Sequence, residues 1–156
     1  LMIDPLVLEE KVQSLYSSHR GEEERGEVNC MSAAFFLLGL SDAERYIDPS
    51  DRAVYATVER STPVSDLKEA DFIVVRGVQI SSSRGMGMTR ISFTDGTKPI
   101  QHLAVVRHRE LGILCDRPKF NAFFRPSVPF TEFQREFRAL EHQKMYSHIT
   151  FEFYQL

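Results

Sequence analysis

Tryptophan is absent from this sequence, and cysteine is scarce: Cys30 and Cys115 are the two cysteines among 156 residues. A secreted domain held together by disulfides would carry more cysteines at framework spacings, so we expect both thiols to be free. No apolar run approaches the roughly 20 residues that cross a bilayer, and the longest spans only residues 33–38. We therefore expect a soluble domain of the cytoplasm or, where a leader has been removed, of the periplasm or the extracellular space.

An excess of charge is also missing, because 19 Lys and Arg residues are mixed with 22 Asp and Glu residues for a net charge of −3. Nucleic-acid binding requires clustered positive charge, and the densest basic group, residues 107–109, falls at a predicted hairpin turn. The five histidines do not show the spacing of converging zinc ligands. The sequence thus predicts no nucleic-acid partner, no metal and no cofactor.

The composition is otherwise globular, with 42% hydrophobic residues and 12 phenylalanines. A chain of this length can bury a core of its own, so we expect one domain over residues 1–156. Helical periodicity comes first and strand periodicity afterwards, with one late helix, which predicts an α+β fold with helices packed on one side of a mostly antiparallel sheet. The expected helices span about 5–17, 30–38, 51–59 and 131–140, with a short one capped by Ser41 and Glu44, and the expected strands span about 72–77, 90–94, 102–107, 113–116 and 148–154. A loop is expected at 81–87, and the Pro- and Phe-rich stretch 120–130 is interpreted as core and loop packing.

Cys30 is the first candidate for chemistry, because it directly follows Asn29, a favourable N-cap, at the start of an apolar helix that ends near Gly39. Free N–H groups and the macrodipole at a helix N-terminus stabilise a thiolate, which is the nucleophilic form of cysteine. The same N–H groups can bind the oxyanion of an acyl-transfer intermediate. Cys115 lies within a predicted strand, so we assign it to packing.

A thiolate nucleophile needs a base, and His102 begins a predicted strand on the same face as Ala104 and Val106. A third group usually orients the imidazole of such a base. The following hairpin strand offers Asp116 as the best candidate, with Gln101 and Asn121 as weaker ones. The sequence therefore predicts a site of Cys30 as nucleophile, His102 as base and Asp116 as the orienting group.

The order of these segments resembles the NlpC-type cell-wall peptidases of the papain-like superfamily. That family has an Asp-Cys-Ser helix start, a Gly-Asp-Leu-Val-Phe-Phe strand and a His-Val-Gly-Ile-Tyr strand, and here the matching segments are Asn29-Cys30, residues 70–75 (ADFIVV) and residues 102–106 (HLAVV). The resemblance covers roughly residues 28–116. It implies a papain-like fold and a thiol hydrolase that cleaves a peptide or amide bond, such as one in a peptidoglycan stem peptide. It also implies the nucleophile role for Cys30 and the base role for His102.

Four positions differ from the family pattern: Asn29 replaces Asp, Met31 replaces Ser, and Ala70 and Ala104 replace Gly. These differences motivate an alternative hypothesis, a catalytically inactive binding module on the same fold. A second alternative is an acyltransferase that uses the same thioester chemistry. The family often places a Tyr before the Cys helix as an oxyanion donor, and Tyr16 is the residue that matches this role, with Asn29 as the supporting cap.

Overall fold

Helices and strands are described here for residues 3–18, 29–41, 51–80, 98–118 and 123–156 of a computed structural model. The helices are α1 (Pro5–Ser18), α2 (Cys30–Leu37), α3 (Arg52–Arg60) and α4 (Phe130–His142), and one 3₁₀ turn covers Leu67–Glu69. The strands are β1 (Thr62–Val64), β2 (Phe72–Gln79), β3 (Ile100–His108), β4 (Ile113–Asp116), β5 (Arg125–Pro129) and β6 (Tyr146–Gln155). The α+β class predicted from the sequence is confirmed. Among the described residues, no helix is long and apolar enough to span a bilayer.

The first helix begins at the predicted residue, Pro5, and the third begins at Arg52, one residue later than predicted. Asp4 accepts a hydrogen bond from the backbone N–H of Leu6 at 2.9 Å, and Pro5 occupies the first helical position. Asp51 accepts the N–H of Ala53 at 2.8 Å in the same way at the start of α3. Both boundaries agree with the sequence prediction to within about a residue.

The strands form one six-stranded sheet in the order β1-β6-β2-β3-β4-β5, and every pairing among them is antiparallel. Because side chains alternate across a strand, the sheet buries two separate apolar faces. Phe72 and Val74 of β2 pack with α1, α2 and α3 on one face, whereas Ile73 and Val75 pack with α4 on the other. The sheet is therefore covered on both sides.

The late helix α4 departs from two predictions. It lies on the face opposite the N-terminal helices, so the prediction that all helices pack on one side is wrong for α4. Its apolar stripe, Phe133 and Phe137, is buried as expected, but periodicity alone does not specify which sheet face a helix will cover. Thr131 followed by Gln134 also predicts a capping pair at the start of this helix, and this prediction is wrong, since the helix begins at Phe130 after Pro129 without a side-chain cap.

The strand predictions were incomplete at three places, the first of which is the short strand β1, which was not predicted. β2 continues to Gln79 instead of ending near Gly77. At Gly77 the register with β6 shifts. A Cβ atom at position 77 would lie 2.6 Å from the Ile149 side chain, so glycine fits there. β5 was not predicted because Pro126 and Pro129 argue against a strand. The strand forms nevertheless, because β5 is an edge strand and proline is tolerated at an edge. The predicted helix at residues 41–44, loop 81–87 and strand 90–94 lie wholly or mainly outside the described residues.

Candidate active site

The helix that carries Cys30 is fixed at both ends by local hydrogen bonds. The Asn29 side chain accepts the backbone N–H of Ser32 at 2.9 Å, and the Ser32 hydroxyl accepts the backbone N–H of Asn29 at 2.8 Å. This reciprocal capping box confirms Asn29 as the predicted N-cap and places Cys30 at the first helical position. At the other end Gly39 adopts a positive φ of 75°, which only glycine adopts at little cost.

Removal of this cap should weaken the helix without touching the thiol. We expect Asn29→Ala to lower the free energy of unfolding by about 1 kcal/mol, because the N–H of Ser32 loses its acceptor. Asn29→Ser should retain most of that stability, because a serine side chain at the N-cap also accepts the N3 amide. Urea unfolding of the two variants measures the difference, and equal stability of Asn29→Ala and the parent chain would contradict a capping role.

His102 lies on β3 within a closed, aromatic environment. Its side chain is 1% exposed, and its ring is 5.7 Å from the ring of Phe133 and 5.5 Å from that of Phe137, centroid to centroid. Both phenylalanines belong to α4, so a helix covers the face that His102 shares with Ala104 and Val106. The aromatic packing restricts the orientation of the ring, and the polar contacts of His102 are made through its two nitrogens.

One of those nitrogens is bound to the predicted orienting group. His102 Nε2 lies 2.8 Å from Asp116 Oδ2, and both side chains are essentially inaccessible to solvent. Because an ionised carboxylate only accepts hydrogen bonds, Nε2 carries the hydrogen in this contact. The structure thus joins His102 to Asp116, the residue that the sequence analysis selected as its orienting group.

The second ring nitrogen, Nδ1, is not engaged by Asp116. Nδ1 is buried and has no hydrogen-bond partner among the described residues, while Cys30 acts electrostatically on the ring. Burial alone would lower the pKa of His102, but Cys30 and Asp116 together raise it to about 9. The imidazole therefore interacts with both a thiol and a carboxylate.

Arg125 holds the far side of the Asp116 carboxylate. It lies directly opposite Asp116 across β4 and β5. Its Nε donates to Oδ1 at 2.9 Å, and its terminal nitrogen donates to Oδ2 at 3.0 Å. Burial would raise the pKa of Asp116, but His102 and Arg125 hold it below its ordinary value. The carboxylate therefore remains charged although it is fully buried.

The weaker candidates for the orienting group occupy other positions. Gln101 donates its side-chain amide to the carbonyl oxygen of Gly77 at 3.0 Å, which ties β3 to the bulge in β2. Asn121 lies outside the described residues. Among the candidates that the structure describes, Asp116 is thus the one hydrogen-bonded to His102.

The two remaining predicted residues are placed differently. Tyr16 lies in the last turns of α1 with 37% of its side chain exposed, in contrast to buried Cys30, so its part in an oxyanion site stays a prediction. Cys115 is fully buried in β4, and its thiol faces the carbonyl oxygen of Val105 at 3.7 Å. Burial and the neighbouring Asp116 raise the pKa of Cys115 well above its ordinary value, so this thiol stays protonated.

Two cavities lined by described residues lie away from the site. One of about 440 Å³ lies between α1, α3 and the end of α2. Another of about 380 Å³ lies beside the β3–β4 turn. Neither is lined by Cys30 or His102. Within the described ranges, no group of three or more His, Cys, Asp or Glu side chains is arranged to hold a metal ion.

Sequence reasoning missed Arg125 and its partner Glu136. The signals that could have identified Arg125 were its charge and its position in the segment after β4. The prolines that follow Arg125 instead predict a loop, and a loop does not indicate a cross-strand partner for Asp116. Comparison of the chain with protein-family models, with curated proteins and with solved structures found no match, so the chemistry of the site is inferred from its own residues.

Proposed function

We propose that this protein is a thiol-dependent amide hydrolase with a papain-like, NlpC-type fold. The observation that carries the proposal is the buried His102 ring, which hydrogen-bonds to Asp116 and also interacts with Cys30. Cysteine hydrolases use this set of three groups: a thiol nucleophile, an imidazole base and a polar group that orients the base. The N-terminus of α2 supports the charged form of the nucleophile.

The reaction begins from the Cys30 thiolate and the His102 imidazolium. The sulfur attacks the carbonyl carbon of an amide, and the backbone N–H of Cys30 helps to hold the resulting oxyanion. When the C–N bond breaks, the imidazolium gives its proton to the leaving amine, and a thioester remains on Cys30. His102 then takes a proton from water, whose oxygen attacks the thioester. The C–S bond then breaks. The carboxylic acid leaves, and the Cys30 thiolate and the His102 imidazolium are restored.

The substrate class that we propose is a peptide amide, with peptidoglycan stem peptides as the case implied by the NlpC resemblance. An acyl acceptor other than water would make the same thioester chemistry an acyltransferase. The two reactions differ in their product, because a supplied amine would appear in the product of a transferase. A short peptide amide incubated with and without a primary amine, with products weighed by mass spectrometry, distinguishes them.

Alkylation at mildly acidic pH tests the proposal before any substrate is known. We expect iodoacetamide to modify Cys30 at about pH 6 at least tenfold faster than a thiol with the ordinary pKa of about 8.5. Cys115 serves as an internal control, because burial and Asp116 raise its pKa and keep it protonated. Peptide mapping by mass spectrometry gives both rates from one sample. Equally slow labelling of the two thiols would overturn the proposal.

The alternative of a catalytically inactive binding module has one observation in its favour. Cys30 is only 5% exposed and His102 is 1% exposed, so both are largely covered among the residues that the structure describes. A substrate carbonyl has to reach the sulfur, and a closed site does not turn over. Slow alkylation of Cys30 in the native protein, together with fast alkylation after mild urea loosens the fold, would favour the module.

A further inference from the structure

The polar contacts of the site continue beyond Asp116 to the surface. Arg125 uses one side of its guanidinium for both oxygens of Asp116, and its remaining terminal nitrogen donates to the two carboxylate oxygens of Glu136 at 2.9 and 2.7 Å. Exposure increases along this series, from 0% for Asp116 to 23% for Arg125 and 44% for Glu136. Three elements, β4, β5 and α4, thus contribute one continuous chain of charges.

We propose that Arg125 and Glu136 are positioning residues, in which Glu136 holds the guanidinium, Arg125 holds both oxygens of Asp116, and Asp116 is thereby fixed against His102. For its catalytic consequence this inference rests on the proposed hydrolase function. The predicted effect of these residues on the pKa of His102 does not depend on the hydrolase function, because their charges act on the imidazole without any substrate. A planar guanidinium suits this task, since its fixed fork matches the geometry of a carboxylate.

The need for Arg125 follows from the burial of Asp116. A carboxylate without solvent contact is costly to keep ionised unless its charge is paired and its oxygens accept hydrogen bonds. His102 supplies one donor to Asp116, and Arg125 supplies two more. With both oxygens engaged by Arg125, the carboxylate cannot rotate away from the ring, so the hydrogen on Nε2 stays directed at Oδ2.

The charge of Arg125 also moderates how strongly Asp116 holds the imidazolium. Among the described residues, the charged or titratable groups that act on the pair are Cys30 from α2, Arg125 from β5 and, next to Asp116 in β4, the protonated thiol of Cys115. Glu136 from α4 lies behind Arg125, and the α4 rings against His102 are those of Phe133 and Phe137. Loss of the guanidinium leaves the negative charge of Asp116 uncompensated, so the pKa of His102 should rise. Loss of the Glu136 charge should shift that pKa in the opposite direction, and less, because Glu136 is farther away and partly exposed.

A histidine titration followed by NMR on the full chain tests this chain of charges. With ¹⁵N-labelled histidine, and the His102 signal assigned from a His102→Gln variant, we expect Arg125→Gln to raise the pKa of His102 by about one unit. Glu136→Gln should lower it by a few tenths of a unit. Arg125→Lys should restore a value close to that of the parent chain, because it keeps the charge.

Two exposed residues of α4 provide matched controls, namely Arg135→Gln for the arginine change and Glu132→Gln for the glutamate change. Neither should move the pKa of His102. If Arg125→Gln does not fold, Arg125→Lys and Glu136→Gln still report on the same contacts. An unchanged pKa of His102 in Arg125→Gln, or in Glu136→Gln where Arg125→Gln does not fold, would overturn the positioning role. Failure of Cys30 alkylation in the parent chain would overturn the hydrolase proposal alone.

Discussion

Cys30→Ala should lower kcat/KM on a peptide amide by about 10⁴- to 10⁶-fold, because without a sulfur at this position no thioester can form. The fold should persist, since the change removes a single buried atom at a capped helix start. The measurement is the hydrolysis rate with purified variant, alongside its circular dichroism spectrum and urea midpoint. We expect the variant to retain substrate binding, because the walls around the thiol are unchanged.

The matched control for that variant is Cys115→Ala. Both changes delete one buried sulfur, but Cys115 lies within β4 and keeps its proton. Cys115→Ala should therefore keep its activity within about twofold and lose at most about 1–2 kcal/mol of stability. Full activity in Cys30→Ala, or a loss of activity that follows Cys115 instead, would exclude Cys30 as the nucleophile.

Local signals explain how much of the site could be predicted from the sequence. The start of α2 depends on contacts between Asn29 and Ser32, three residues apart, so a capping pattern suffices to place Cys30. The selection of Asp116 relied on the hairpin between β3 and β4, whose turn contains Gly112 with a positive φ of 63°. These features depend on short-range geometry, which sequence patterns represent well.

The contacts that sequence reasoning missed depend on tertiary geometry. Arg125 and Asp116 are nine residues apart and face each other only because β5 pairs with β4 as an edge strand. Glu136 reaches Arg125 only because α4 packs on the sheet face opposite α2. An amphipathic stripe predicts that a helix covers a sheet, but it does not distinguish between the two faces. A charged residue likewise gives no indication of which opposite charge it will meet.

Asp116→Asn should have the second largest effect, a fall in kcat/KM of about 10² to 10⁴-fold. The carboxylate accepts three hydrogen bonds, one from His102 and two from Arg125. An asparagine has one oxygen and one NH₂ group, so in either orientation an N–H of Arg125 faces that NH₂ group, and in one orientation the N–H of His102 faces it as well. If the NH₂ group faces the ring, Nε2 becomes the acceptor and the hydrogen moves to Nδ1. That tautomer cannot take a proton from Cys30.

The same variant should shift the pH dependence in a defined direction. Asp116 raises the pKa of His102 because it stabilises the protonated ring, so removing its charge should lower that pKa from about 9. The parent chain should lose hydrolysis as the pH rises through about 9, where the imidazolium loses the proton meant for the leaving amine. In Asp116→Asn this alkaline limb should move to lower pH. The measurement is kcat/KM from pH 5 to 10.

Asp66→Asn is the matched control, because Asp66 caps an exposed turn through the N–H of Lys68 and asparagine caps equally well. It should leave rate, pH profile and stability unchanged. Asp116→Asn, in contrast, leaves Arg125 without its buried partner and should lose about 3 kcal/mol of unfolding free energy. A profile and a rate equal to those of the parent chain in Asp116→Asn would mean that the imidazole is oriented without this carboxylate. In that case the contact between His102 and Asp116 would serve only the packing of β3 against β4.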